Sequence, residues 1–171
     1  HLPTSEAFEK KSTELTSLLS LSRLISSVFD IRELSEAVVN FSVQTTNADS
    51  AWLETYSTQP NGQREVKLLS PKNITSTDIQ ILTGMNGSSI REALVSTRTL
   101  LNIQKANTHP LMDQVLVKKK KIGSLIAVPL IARDNLVGGL FVAKGIEFGF
   151  DREDVDTVLT FAEQAAIAID N

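Results

Sequence analysis

Cysteine is absent from this chain of 171 residues, and histidine occurs only at positions 1 and 109. Without cysteine there is no thiolate catalysis, no disulfide bond, no chromophore attached through a thiol and no cysteine-based metal site. The single internal histidine, His109, has no second histidine or cysteine with which to share a metal ion. These absences exclude more classes of function than any other count in the composition.

Long apolar runs and an excess of one charge are absent too. No apolar stretch approaches the roughly 18 residues of a membrane helix, and the N-terminus lacks the basic and apolar regions of a signal peptide. The formal net charge of -3 combines both signs, and the one basic run, Lys118 to Lys121, has no interleaved aromatic residues for stacking on bases. We therefore expect a cytoplasmic domain that contacts neither nucleic acid nor membrane.

The centre of the sequence predicts a buried β-hairpin. Two apolar runs of strand length, 122–132 and 136–143, flank a short polar link in which Asp134 and Asn135 are able to adopt the positive φ angles of a tight turn. Residues of both parities in each run are apolar. Both faces of the sheet are therefore expected to be covered by other parts of the chain.

Helical patterns at the two ends of the chain supply part of that cover. Apolar residues recur at spacings of three and four over 12–29, and again from Asp151 to the last residue. Asp30 and Glu33 form a capping box that starts a second helix, which is expected to end near Thr46 or Asn47. The pattern over 12–29 also fits a short heptad seam, which favours a homodimer through the terminal helices.

Between these helices the pattern predicts short strands and short helices. The predicted elements are strands over 51–57, 65–69 and 99–103, helices over about 77–82 and 90–95, and an irregular connection over 104–117 that is a candidate binding loop. Trp52 and Tyr56 share one face of the first strand. This order predicts an α+β domain around one antiparallel sheet.

The domain organisation follows from length and from the pattern at the N-terminus. Residues 12–171 are long enough for one core and fit a single domain. Residues 1–11 are polar and unpatterned and open on histidine, so we expect them to be disordered or derived from a tag.

Residues 15–171, nearly the whole chain, resemble the GAF domain, a small-molecule-binding sensory module of signalling proteins. The most specific stretch is Ile122–Leu130, with its glycine, serine, apolar run and Pro-Leu ending, although the arginine usual before the serine is Gly123 here. Gly138 and Gly139 match the small residues of the next strand, and 150–154 matches the phenylalanine and acidic residues that open the last helix. The resemblance implies terminal helices on one face of the sheet, and short helices and loops around a ligand pocket on the other.

The resemblance, together with the absence of cysteine, also excludes two activities found in this family. Bilin-binding members attach their chromophore through cysteine, and free-methionine-sulfoxide reductases of this fold use cysteine in catalysis, so neither activity is open to this chain. We expect a non-enzymatic domain of a larger signalling protein, such as a two-component system, which senses a small molecule and signals through its terminal helices. The alternative is a structural module that dimerises and transmits a signal without binding a ligand.

Six residues are candidates for the ligand pocket, each with a plainer alternative role. Trp52 offers stacking surface or core packing, and a serine at the start of the helix over 90–95 either receives an anion beside it or only caps the helix. Two asparagines flank the third strand and its loop as polar specificity groups, and the histidine is able to contact a ligand or to remain solvated. We expect no haem or metal ligation, and the cofactor stays unspecified. The candidates are Trp52, Ser88, Ser89, Asn102, Asn107 and His109.

Overall fold

The computed structural model describes residues 30–84 and 89–170, which form five strands, five helices and one 3-10 turn. The predictions for 1–11 and for a helix over 12–29 lie outside the described residues. The strands are β1 (Ser50–Thr58), β2 (Arg64–Lys72), β3 (Leu101–Ile103), β4 (Ser124–Ala132) and β5 (Asn135–Lys144). The helices are α1 (Ile31–Thr46), α2 (Ser76–Thr83), α3 (Ile90–Thr97), α4 (Gln114–Lys120) and α5 (Arg152–Asp170), and the 3-10 turn spans Ala106–Thr108.

The predicted hairpin lies in the middle of the sheet. The strands are antiparallel in the order β2-β1-β5-β4-β3, and β4 pairs with β5 along its whole length. The link is shorter than predicted, because the two residues with positive φ are Arg133 at 51° and Asp134 at 64°. The prediction of a positive φ at Asn135 was wrong, since Asn135 already pairs with Ala132 as the first residue of β5. A two-residue link of this kind matches the right-handed twist of the strands.

Two helical layers cover the two faces of the sheet, as predicted from the apolar residues at both odd and even positions of the central strands. On β4, Ile126 and Val128 pack into the cluster formed with α1 and α5, whereas Leu125 and Ala127 pack into the cluster formed with α2, α3 and α4. Side chains of successive strand residues point to opposite faces, so one strand contributes to both clusters. The α+β fold is confirmed, with α1 and α5 on one face and the short helices on the other.

Local capping decides where most helices begin. Helix α1 begins and ends where predicted: Asp30 caps it by accepting a hydrogen bond from the Arg32 amide at 2.9 Å, and Asn47 ends it in the left-handed conformation. Helix α2 begins slightly earlier than the predicted helix over about 77–82. The cap is Thr75, whose hydroxyl accepts from the Asp78 amide at 3.1 Å.

Helix α4 occupies part of the connection over 104–117 that was predicted to be irregular. Asp113 caps it by accepting from the Leu116 amide at 3.0 Å, and Lys118, Lys119 and Lys120 lie in its last turn. Cations are favourable there because the C-terminal end of a helix carries partial negative charge. The basic run is thus the solvent-exposed end of a helix.

Gly123, at the position where the family usually has arginine, has no room for a side chain. A Cβ atom there would lie 2.5 Å from the carbonyl oxygen of Ile146 and 2.7 Å from the amide nitrogen of Glu147. We expect Gly123→Ala to lower the free energy of unfolding by about 1–3 kcal/mol, because the backbone must shift to admit the methyl group. Denaturant unfolding measures the change.

The matched control for this prediction is Gly84→Ala. There the nearest atom to the added Cβ would be the Arg91 Nη1 at 3.5 Å, an ordinary contact. We expect that variant to stay within about 0.5 kcal/mol of the parent. Equal effects in the two variants would contradict the explanation from crowding at Gly123.

Candidate functional site

Three alternating side chains of β1 lie on the sheet face that α2, α3 and α4 cover. They are Trp52, Glu54 and Tyr56, which share one face because side chains in a strand alternate. Trp52 is fully buried and stacks on Phe141 of the neighbouring strand, with ring centroids 4.8 Å apart and planes 4° from parallel. The face therefore carries an aromatic floor beside a carboxylate.

Glu54 is the buried polar centre of this face. Its side chain is 0% exposed, and Arg91 of α3 reaches it with two hydrogen bonds, from Nε to Oε1 at 2.8 Å and from Nη2 to Oε2 at 2.9 Å. The Tyr56 hydroxyl donates to Oε1 at 2.9 Å, and the Trp52 indole nitrogen donates to Oε2 at 3.1 Å. Each carboxylate oxygen thus accepts two hydrogen bonds, and the arginine contact has the strong bidentate geometry.

Arg91 keeps its charge despite its partial burial. Burial alone lowers the pKa of Arg91, but the hydrogen bonds and negative charge of Glu54 outweigh it and leave that pKa above its ordinary value. Removing two charges from water costs several kcal/mol per ion, so a buried ion pair stabilises a fold little compared with apolar packing. Such a pair inside a covered face is a candidate functional feature.

Tyr56 reports the electrostatics of this site, since it is the only tyrosine of the chain. Burial, followed by the charge of Glu54, raises the pKa of Tyr56 well above its ordinary value. We expect the folded protein to show almost no phenolate absorbance at pH 10, where a free tyrosine is half ionised. Because the unfolded chain releases this proton near pH 10 and the folded chain does not, stability should fall as the pH rises above about 10.

The control for the titration is Glu54→Gln, which removes the negative charge beside the hydroxyl. In that variant the phenolate should appear at lower pH than in the parent. Half ionisation of Tyr56 near pH 10 in the folded parent would contradict the burial and contacts described for it.

Of the site residues predicted from sequence, Trp52 lies beside Glu54, whereas Ser89 and His109 form local hydrogen bonds. Trp52 lies on the face with Glu54. Ser89 is buried and caps α3, its hydroxyl accepting from the Glu92 amide at 3.2 Å. The half-buried His109 ends the 3-10 turn, and its Nδ1 accepts from the Leu111 amide at 3.2 Å.

The two predicted asparagines form no hydrogen bond with Glu54 in the described structure. Asn107 is exposed in the 3-10 turn. Asn102 is exposed as well, and it pairs with Ile126, whose side chain belongs to the face of α1 and α5. Ser88 lies outside the described residues.

Two grooves flank the buried pair at opposite ends of the sheet. One, of about 410 Å³, lies beside Tyr56 and is lined also by Arg64, Arg98 and the start of β5. The other, of about 180 Å³, lies between the start of α2 and the end of α4, where Lys120 Nζ is 3.2 Å from Asp78 Oδ2. Within residues 30–84 and 89–170 no three His, Asp or Glu side chains are grouped as metal ligands require, and no helix has the length and apolarity to cross a membrane.

Glu54 and Arg91 were not among the residues predicted from sequence. One signal was available for Glu54, because it alternates with Trp52 and Tyr56 on a strand that was predicted. An acidic residue between two aromatic residues on one strand face needs a donor if that face is covered. No comparable signal marks Arg91 among the polar residues of a short helix.

Comparison with known proteins identifies the family to which this domain belongs. The family model for the GAF domain matches residues 30–170, and no curated protein matches the sequence. The GAF domain of a phosphoenolpyruvate-protein phosphotransferase from Coxiella burnetii is 18% identical, with a TM-score of 0.73 over 93% of this chain and 94% of that chain. The corresponding Acinetobacter domain is 17% identical, with a TM-score of 0.68 over 92% of each chain.

A structural relative of a different kind is a type II free methionine-R-sulfoxide reductase from Thermoplasma acidophilum. It is 14% identical, with a TM-score of 0.65 over 81% of this chain and 92% of that chain. At these identities the likeness concerns the fold and not the activity. The family match over most of the length and the five-stranded sheet between two helical layers together show that the chain belongs to the GAF domain family.

Proposed function

We propose that the chain is a non-enzymatic regulatory domain of a larger cytoplasmic signalling protein, in which it senses a small molecule and passes ligand occupancy to an output domain through its terminal helices. The observation that carries the proposal is the polar centre on the sheet face under the short helices. Ligand sites of this kind are mostly apolar with a few well-placed polar groups. Glu54, Arg91 and the flanking aromatic rings meet that description.

Each central strand contacts both helical layers, so this face is coupled to α1 and α5 through the strands themselves. On β1, Trp52 and Glu54 lie on the ligand side, whereas Leu53 belongs to the cluster formed with α1 and α5. A displacement of β1 on one side therefore changes the packing on the other. Because packed layers shift between discrete arrangements rather than deforming smoothly, a small change at Glu54 is able to reposition α1 and α5.

The composition supports a sensor rather than an enzyme. The chain has no cysteine, which is the residue that methionine-sulfoxide reductases of this fold use in catalysis. The buried carboxylate is held by four hydrogen bonds and is occupied by Arg91. It is thus arranged to recognise a group rather than to accept a proton.

A second function has one observation in its favour. Trp52 and Phe141 are 0% exposed, and the side chains of α2, α3 and α4 fill the space above them. A face already filled suits a module that only dimerises through its terminal helices and transmits a signal from a neighbouring domain. In that case no compound would stabilise the domain.

A thermal-shift screen of nucleotides, amino acids, amines and organic acids separates the two functions. A specific ligand at about a hundred times its Kd should add about 2.7 kcal/mol to the free energy of unfolding by mass action. The emission of Trp52, the only tryptophan of the chain, should change with the same saturation curve. A broad library with no stabilising compound would overturn the sensor proposal in favour of the dimerisation module, whose dimer light scattering detects.

A further inference from the structure

The two partners of the buried ion pair are held very differently. Glu54 belongs to β1, which pairs with β2 on one side and β5 on the other, and its side chain is 0% exposed. Arg91 belongs to α3, a peripheral helix of eight residues, and its side chain is 18% exposed. The carboxylate is therefore the fixed partner, and the guanidinium is the one able to leave for water.

Charge balance decides which kind of ligand is able to separate the pair. An anion that drew Arg91 away would leave Glu54 buried with only the neutral donors of Trp52 and Tyr56, and an unpaired buried charge is strongly destabilising. A cation that took the place of Arg91 would keep Glu54 paired. Arg91, freed from the carboxylate, would then be solvated at the surface at little cost.

From this asymmetry we propose that the ligand carries a guanidinium or amidinium group, and that Arg91 occupies the place of that group in the unliganded domain. The inference rests on the proposed sensory function and specifies its ligand class. When the ligand binds, α3 loses its anchor on β1, and the short-helix layer changes its packing on the sheet. Arg91 thus acts as an internal competitor that lets the domain exist in two states.

The geometry at Glu54 selects among cations. Arg91 donates through two nitrogen atoms, Nε and Nη2, one to each carboxylate oxygen. A planar group with two parallel N–H bonds reproduces this contact, which a single ammonium group does not.

The groove beside Tyr56 is the competing site, since it would attract the opposite charge. Arg64 and Arg98 line it, and among the described residues no acidic side chain does. Both arginines already have structural partners, because Arg64 lies 3.8 Å from Glu92 and Arg98 donates to the carbonyl oxygen of Asp134 at 2.8 Å. An anion bound there would leave the pair of Glu54 and Arg91 intact.

The test titrates benzamidine, agmatine and methylguanidine against the parent chain and its variants, with citrate and inorganic phosphate as anionic probes. Melting temperature and Trp52 emission are the two readouts. We expect at least one cationic probe to bind the parent saturably. Glu54→Gln should weaken that probe about thirtyfold or more, as loss of a buried charge partner does, while the exposed carboxylate change Glu92→Gln should alter it less than about twofold.

Arg91→Ala gives the sharpest contrast, because it should lower the melting temperature and yet bind the cationic probe roughly tenfold more tightly, through loss of the internal competitor. Binding of cations to Arg91→Ala but not to the parent would show only that a guanidinium-shaped hole had been made, and would overturn the inference. If an anionic probe stabilised the parent and this stabilisation were lost in Arg64→Gln or Arg98→Gln, the proposed cationic ligand class would be wrong. The proposed sensory function would not be affected by that result. No binding of any cationic probe to the parent also overturns the inference, and the wider screen then decides the sensory function separately.

Discussion

Replacing Arg91 with alanine is expected to lower the free energy of unfolding by about 3–5 kcal/mol, the usual cost of leaving a buried charge without its partner. In that variant Glu54, which is fully buried in the parent, keeps only the hydrogen bonds from Trp52 and Tyr56. The double variant Glu54→Gln with Arg91→Ala should be more stable than Arg91→Ala alone. The amide carries no charge, its oxygen is able to accept from the indole N–H of Trp52, and its NH2 group is able to donate to the hydroxyl oxygen of Tyr56. Denaturant unfolding of the two single variants and the double variant measures the coupling.

The control for this cycle is Glu92→Gln on the same helix. Glu92 lies 3.8 Å from Arg64, and their side chains are 61% and 37% exposed. Pairs with that exposure contribute at most about 1 kcal/mol. If Arg91→Ala lost no more stability than Glu92→Gln, or if the double variant were less stable than Arg91→Ala, the buried pair would not have the energetics described for it.

Trp52→Ala is expected to have an effect of similar size, about 3–5 kcal/mol. The change removes a fully buried ring that stacks on Phe141, and it also removes the N–H group that donates to Glu54 at 3.1 Å. Trp52→Phe separates the two contributions, because it keeps a stacking ring and loses the donor. Its expected loss is about 1.5–3 kcal/mol, the range for a hydrogen bond to a charged group.

Calorimetry or denaturant unfolding of both tryptophan variants tests this ordering. A loss near 1 kcal/mol for Trp52→Ala would mean that the face under the short helices is loosely packed, contrary to its burial. Equal losses for the two variants would mean that the ring contributes nothing beyond its N–H group.

The parts of the fold that sequence predicts well depend on local or strongly apolar signals. The hairpin of β4 and β5 follows from two apolar runs around Asp134, and α1 follows from the cap at Asp30, so neither prediction required knowledge of distant contacts. Helix α4 was missed because seven residues give too short a pattern to be separated from a loop. The cap at Asp113 and the lysine-rich C-terminal end are the sequence signals that indicate this helix.

The candidate site was predicted only in part, because its main contact joins distant residues. Trp52 was predicted from its aromatic surface, and it lies beside Glu54 as described. Glu54 and Arg91 are 37 residues apart in sequence, and their contact depends on how α3 packs across β1. Asn102 was chosen for its position beside a strand, and the register with Ile126 then placed it on the face of α1 and α5. Neither pairing nor register can be inferred from residue type.

Amide hydrogen exchange across α1 and α5, with and without the compound that most stabilises the parent chain, tests the central claim most directly. If occupancy at Glu54 is passed through the sheet, exchange should change in 31–46 and 152–170 as well as in the short helices, and Glu54→Gln should abolish both changes. Exchange that changes only in α2, α3 and α4 would contradict the account, because the ligand would then bind without any signal reaching α1 and α5.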